Sequence, residues 1–241
     1  MIYKNNEELP KNRRRKAQFE KILDMAINIV INQGAEYLTM QNLANKLDFT
    51  AGALYRYYSS KDEIISDIQR RCIEEFSNLF DEVNNNVALI LNQNELKPIL
   101  LIILVSELLG KYSLESPVKF SFLTNLMSDP KVLVNEVESA KVFNSFKILF
   151  FKLIAIFSEA INNKQLHSNN VLELVLVYIS SLQGILQLKK LSRIDSNFFN
   201  VESLRKNATK SLLIGWGLSE ENFNKAEKYL SDNKFISITN T

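Results

Sequence analysis

The side chains that most often carry catalysis are nearly missing from this chain. It has one histidine, His167, and one cysteine, Cys72, among 241 residues. One histidine builds neither a His-containing triad nor a His-based metal cluster. One cysteine allows neither an internal disulfide framework nor a Cys-rich zinc site. Carboxylates are common, but no spacing pairs two for acid–base work, and a dinuclear carboxylate bundle needs Glu-x-x-His on two helices. The expectation is no catalytic centre, no metal and no cofactor. Cys72 reads as a small core residue, and His167 as a surface residue in a loop.

What the chain offers instead is cationic and hydrogen-bonding chemistry near its N-terminal end. Lys11, Arg13, Arg14, Arg15 and Lys16 fall within six positions. Residues 1–61 hold ten Lys and Arg against six Asp and Glu, whereas the other 180 hold 19 against 21. Thr50-Ala51-Gly52-Ala53 follows, then Tyr55-Arg56-Tyr57 and Lys61. Small side chains at 51–53 let a helix start lie close to base edges in a DNA groove. Arg56 has the fork to pair with a guanine edge or a phosphate. The hydroxyls of Tyr55 and Tyr57 suit phosphate oxygens. Lys61 stands where a helix N-terminus also favours a phosphate. The basic cluster, Arg13 and Arg14 included, reads either as a solvated tail or as a phosphate-binding arm. Such an arm reaches a minor groove or adds non-specific affinity.

Helices must position these groups. Hydrophobic residues make up 46% of the chain, yet there are six glycines, four prolines and little period-two alternation, so the fold class is all-α. The first helix is expected over about Arg14–Asn32, with Phe19, Ile22, Leu23, Ala26 and Val30 on one face and Gly34 just past its end. Thr39 caps a short helix over Gln41–Leu47. After Asp48-Phe49-Thr50 a second short helix spans Ala51–Tyr57, which together make a helix-turn-helix pattern. Ser60-Lys61-Asp62-Glu63 fits a capping box and opens a helix to Val83, about 35 Å long at 1.5 Å per residue. A break is expected in 84–94. Further helices are expected from Pro98 to Gly110, Pro117 to Met127, Asp129-Pro130 to Asn162, Val171 to Leu191, Val201 to Trp216 and Ser219 to Leu230, before a frayed tail at 231–241. The Val171 helix is apolar almost all round and should be buried on several sides. No apolar run approaches 18 residues, and the polar, basic N-terminal stretch has no apolar signal segment. The expectation is a cytoplasmic protein with no membrane span.

The stretch from Leu38-Thr39-Met40-Gln41-Asn42-Leu43-Ala44 through Thr50-Ala51-Gly52-Ala53-Leu54-Tyr55-Arg56-Tyr57-Tyr58 to Ser60-Lys61-Asp62-Glu63-Ile64 resembles the TetR family of bacterial transcriptional regulators. The resemblance covers about residues 14–65, and Leu212-Leu213-Ile214-Gly215-Trp216-Gly217 is similar to the end of the family's last core helix. Asp48 stands where the family usually has Gly, and Tyr57-Tyr58 where it often has His-Phe. The resemblance implies a repressor in two parts. Residues 1–60 would be a basic arm and helix-turn-helix contacting DNA through Thr39, Thr50, Ala51, Gly52, Ala53, Tyr55, Arg56, Tyr57, Lys61, Arg13 and Arg14. Residues 61–241 would bind ligand and dimerise. The homodimer would form through helices Val171–Leu191 and Val201–Trp216, with Leu204, Ala208 and Leu212 on the second. It would set two recognition helices about 34–36 Å apart or somewhat more, on a pseudo-palindromic operator. A small-molecule effector would act by binding two states unequally.

Two features of the C-terminal part read either way from residues alone. Ser180, Ser181 and Gly184 let a backbone come close to an apolar helix, either of a partner copy or of a neighbour in the same chain. Tyr112, Phe120, Phe122, Phe143, Phe146 and Phe150, with Phe151 and Phe157, line an apolar cavity or simply fill the core. No buried charge cluster stands out, so a hydrophobic or amphipathic ligand is expected. The competing function is a helical protein-interaction module whose helix-turn-helix is only structural. Salt-sensitive DNA affinity separates the two.

Overall fold

The structure, a computed structural model, describes residues 10–91, 95–128 and 135–233. Every regular element among them is helical, as the periodicity predicts. In chain order these are α1 (Pro10–Gln33), a 3-10 turn (Ala35–Tyr37), α2 (Met40–Lys46), α3 (Ala51–Leu54), α4 (Lys61–Ile90), α5 (Lys97–Glu115), α6 (Pro117–Ser128), α7 (Glu136–Asn162), α8 (Val171–Gln187), α9 (Lys189–Ser192), α10 (Val201–Gly215) and α11 (Glu220–Asn233). They form two compact units, one of residues 1–71 with 129–142 and one of residues 72–128 with 143–241.

Several boundaries differ from expectation: α5 runs on to Glu115 rather than Gly110, α8 stops at Gln187 rather than Leu191, α11 reaches Asn233 rather than Leu230, and three others differ for identifiable reasons. α1 starts at Pro10 rather than Arg14, so Lys11 and Arg13 also lie within the helix and not on an arm ahead of it. Proline suits a first helical turn, and Arg and Lys propagate a helix well. α4 passes its expected end at Val83 because buried Val83, Val87 and Leu91 extend the apolar stripe. α3 is shorter than expected. Past Leu54 the chain continues as turns, with the Tyr57 and Tyr58 N–H groups both donating to the Leu54 carbonyl. The expected helix start at Asp129-Pro130 and the tail from 234 onward lie outside the described residues.

In the first unit, α1, α2 and α3 close over Ile22, Ala26, Leu43, Ala44, Leu54 and Tyr58, all buried. The turn after α2 survives without glycine because Asp48 takes the left-handed conformation, φ 56°. Gly34, at φ 107°, ends α1 as its position predicts. The capping box is shifted by one residue. Ser60 Oγ accepts from the Glu63 N–H at 3.2 Å, but the Glu63 carboxylate accepts from the N–H and Oγ of Ser59, not from Ser60.

In the second unit α5 is the axis, buried along nearly its whole length. α8 packs on it and on α10. Contrary to expectation, α8 is buried on one side only, and Leu172, Leu176 and Val177 remain 40–45% exposed. The stretch Val171–Ser192 is long and apolar enough to cross a membrane by length and composition alone. Phe157 is core, edge-on to Tyr178 and Trp216. Cys72 is core too, and its thiol lies beside the Tyr112 phenol, which burial and that neighbour push up. His167 is exposed, but its N–H donates to the Trp216 carbonyl at 2.7 Å and its ring covers the positive-φ Gly217.

A buried polar network ties α10 to α5. Arg205, 1% exposed, donates to Ser106 Oγ (2.7 Å), Glu107 Oε2 (2.7 Å) and both carboxylate oxygens of Glu202 (3.2 and 2.7 Å). Thr209 Oγ1 lies 2.9 Å from Ser106 Oγ. Burial alone would raise the Glu202 carboxyl, but hydrogen bonds from Arg205 and Lys206 outweigh it and hold the pKa below its ordinary 4.5. A carboxylate with a depressed folded pKa stabilises fully above its unfolded value and loses that contribution as pH falls through the folded one. The urea midpoint should therefore drop as pH falls below 4.5, and Glu202→Gln should lose less over that window than the parent. Equal acid sensitivity of the two would show that Glu202 does not contribute.

Candidate functional site

The helix-turn-helix is held by two threonine caps. Thr39 Oγ1 accepts from the Asn42 N–H (3.1 Å) and Thr50 Oγ1 from the Ala53 N–H (3.2 Å). Each hydroxyl uses a lone pair in the cap, so its own proton stays available to a phosphate oxygen. Both threonines are exposed. Gly52 is exposed and a Cβ there would meet nothing, so the start of α3 is open to close approach. Ala51 and Ala53 flank it, half-buried.

Past α3 the aromatic residues divide. Tyr58 turns inward as expected, and its hydroxyl donates to Asp67 Oδ2 at 3.0 Å. Burial first, and then the Asp67 carboxylate, push its phenol far up, so it stays a proton donor at any physiological pH. Tyr57 is half-buried, edge-on to Phe19 at 5.4 Å and stacked on Phe49 at 6.3 Å. Tyr55 and Arg56 point outward and are exposed.

Arg56 and Tyr57 share a surface cleft of about 520 Å³ with Arg14, Arg15 and Gln18 of α1. No carboxylate lines it. Arg15 also lies over the Phe19 ring, 5.6 Å from its centre. Three arginines on one cleft without a carboxylate place like charges together and favour an anion there. The planar forks and the phenol make that anion a phosphate by preference. Arg13 is exposed on the same helix but does not line the cleft. Arg15 and Gln18 are absent from the expected contacts. Their signal is helical phase, since 14, 15 and 18 share a face of α1. Lys61 opens α4, where Asp62 and Glu63 share the first turn, so this helix start is less cationic than the spacing suggested.

The bundle of the second unit holds a cavity of about 40 Å³. Phe120, Phe146 and Phe150 line it, as expected, together with Phe76, Leu149 and Gln183. Tyr112, half-buried, and Phe122, buried, do not line it, and Phe143 is half-exposed. Among the described residues no group of three or more His, Cys, Asp and Glu is arranged to hold a metal.

On the outward side of α8, Ser180 and Gly184 are exposed beside Leu172, Leu176 and Val177, and Ser181 is half-buried. Leu204 on α10 is 39% exposed, with Ala208 and Leu212 half-buried.

Comparison with known proteins follows the same division. Residues 22–68 match the family described as bacterial regulatory proteins, tetR family. No curated protein matches the chain in sequence. Among solved structures, RolR in complex with resorcinol aligns over 89% of this chain and 95% of its own, with a TM-score of 0.61 and 11% identity. A TetR transcription regulator from Haloarcula marismortui aligns over 81% and 96%, with 0.61 and 16%. Thermus thermophilus FadR, a TetR-family repressor in complex with lauroyl-CoA, aligns over 84% and 96%, with 0.57 and 13%. At these identities the likeness is one of fold.

Proposed function

We propose that this chain, which belongs to the TetR family through residues 22–68 and carries the fold of its regulators throughout, is a homodimeric repressor that binds an operator and is released by a small ligand. The observation that carries the DNA-binding half is the cleft of Arg14, Arg15, Arg56 and Tyr57 beside the open start of α3. A cationic cleft fixes register on the phosphates, and a helix end without bulky side chains reads base edges. We assign DNA binding to residues 1–60, and ligand binding and dimerisation to 61–241, acting in the cytoplasm.

The open apolar face on α8 and α10 supports the dimer. Exposed Leu172, Leu176, Val177 and Leu204 form a surface that water disfavours, and Ser180 and Gly184 let a second backbone approach. Leu176→Glu should convert a particle of twice the 27.7 kDa chain mass to one of that mass in sedimentation, and operator affinity should fall with it. An unchanged mass would place the interface elsewhere.

Chain path supports the release mechanism. α4 contributes Phe76 to the cavity wall, α7 contributes Phe146 and Phe150, and both helices begin within the first compact unit. A ligand that favours one spacing of the two recognition helices lowers operator affinity by its differential affinity for the two states. Selection from a pool of random duplexes tests the whole reading. It should enrich a pseudo-palindrome with half-sites about one DNA turn apart or somewhat more. Enrichment of no sequence would favour a structural helix-turn-helix in an interaction protein.

A further inference from the structure

We infer that the effector is a compact, uncharged, mainly aromatic molecule carrying one hydroxyl or comparable polar group, which exchanges hydrogen bonds with Gln183 and Thr124. This rests on the reading of the bundle as a ligand domain and names the class of molecule it takes.

Three observations fix the class. The first is charge. Apart from Gln183 and Thr124 every lining residue is apolar, and no Lys, Arg, Asp or Glu lines the cavity. An ionised carboxylate or phosphate placed there would lose its hydration with no cation to meet it, a cost that a pocket of this composition cannot return.

The second is the polar anchor. Gln183 is 6% exposed, and its Nε2 donates to the Thr124 backbone carbonyl at 3.2 Å. The bond joins α8 to α6 across the cavity. Its length is at the long end for an N–H···O contact, so an incoming hydroxyl can replace it on equal terms. The hydroxyl accepts from the Gln183 amide and donates to the Thr124 carbonyl, leaving neither buried group unpaired. A purely hydrocarbon occupant cannot make that exchange.

The third is size and shape. The 40 Å³ cavity has room for a few waters and is far below the 300–1,000 Å³ of pockets that take drug-sized ligands. A cavity of about 150 Å³ takes one benzene ring, so the helices must part to admit any occupant, and a flat, compact ring system asks for the least. Phe76, Phe120, Phe146 and Phe150 supply ring faces and edges around it, and Phe146 and Phe150 already lie 4.7 Å apart.

The test is calorimetric titration of the full-length protein at neutral pH with 1-naphthol, naphthalene and 1-naphthoate, which share a ring system and differ in polar group and charge. The expected result is 1-naphthol binding at least about a hundredfold tighter than 1-naphthoate. Gln183→Leu should weaken 1-naphthol about tenfold or more while leaving naphthalene within about twofold of the parent. Leu153→Phe, which fills the cavity, should remove binding of both neutral probes. Naphthoate binding as tightly as naphthol would overturn the uncharged class and leave the ligand domain standing. Gln183→Leu weakening naphthol and naphthalene alike would overturn the anchor. No binding by any of the three would overturn the inference together with the ligand-domain reading, and operator binding, measured separately, would be untouched by that outcome.

Discussion

Arg56→Ala should weaken operator binding by about 1–3 kcal/mol and flatten its dependence on log salt by about one. Both parts follow from the cleft. Arg56 shares it with Arg14 and Arg15, and three like charges on one cleft favour an anion there. A phosphate contact is sequence-independent, so the loss should be uniform across operator variants rather than concentrated at one base pair. Arg14→Ala and Arg15→Ala should act in the same sense. Tyr57→Phe should have a smaller effect, because it removes one hydroxyl and keeps the ring between Phe19 and Phe49. Competition binding against single-base operator variants at two salt concentrations reads all of this. A loss confined to one base pair would instead make Arg56 a base reader.

Arg205→Ala should destabilise the second unit by about 1–3 kcal/mol, since it strands buried Ser106 while Glu107 and Glu202, 26% and 54% exposed, are left to water. The side chain is 1% exposed and donates to three residues on two helices. Truncation leaves buried Ser106 and the Glu107 carboxylate without their charged donor, over a cavity the size of the lost stem. Arg205→Met should cost less, since it refills the volume. Gly110→Ala should also destabilise, because a Cβ there would fall 2.8 Å from Arg205 Nε. Urea unfolding followed by circular dichroism measures each. A cost under about 1 kcal/mol for Arg205→Ala would mean the network contributes no more than an exposed ion pair.

The sequence made local chemistry legible and left long-range chemistry hidden. Thr39 and Thr50 as caps, Asp48 in the turn, Gly34 at the end of α1 and Tyr58 turned inward could all be read within a few residues of themselves. The Arg205–Ser106 bond joins residues 99 apart, and no periodicity encodes that pairing. The cavity shows the same limit. Phe120, Phe146 and Phe150 stood out as aromatic, but Leu149, Leu153 and Ile179 look like any core aliphatics until the helices are packed. Gln183, the polar residue that matters most there, sits on an apolar helix where its type alone said nothing. Arg15 and Gln18 show the same limit: their helical phase beside Arg14 is local, but only the fold brings that face to Arg56 and Tyr57.

The central claim, sequence-selective DNA binding by the first unit, is tested most directly by one titration. The purified protein is titrated with the duplex from upstream of its own gene and with a shuffled duplex of the same length, at about 50 and about 200 mM salt. Binding to the upstream duplex should be much tighter at both salts, and affinity for both duplexes should fall steeply as salt rises. Equal affinity for the two duplexes, or affinity unaffected by salt, would contradict the claim.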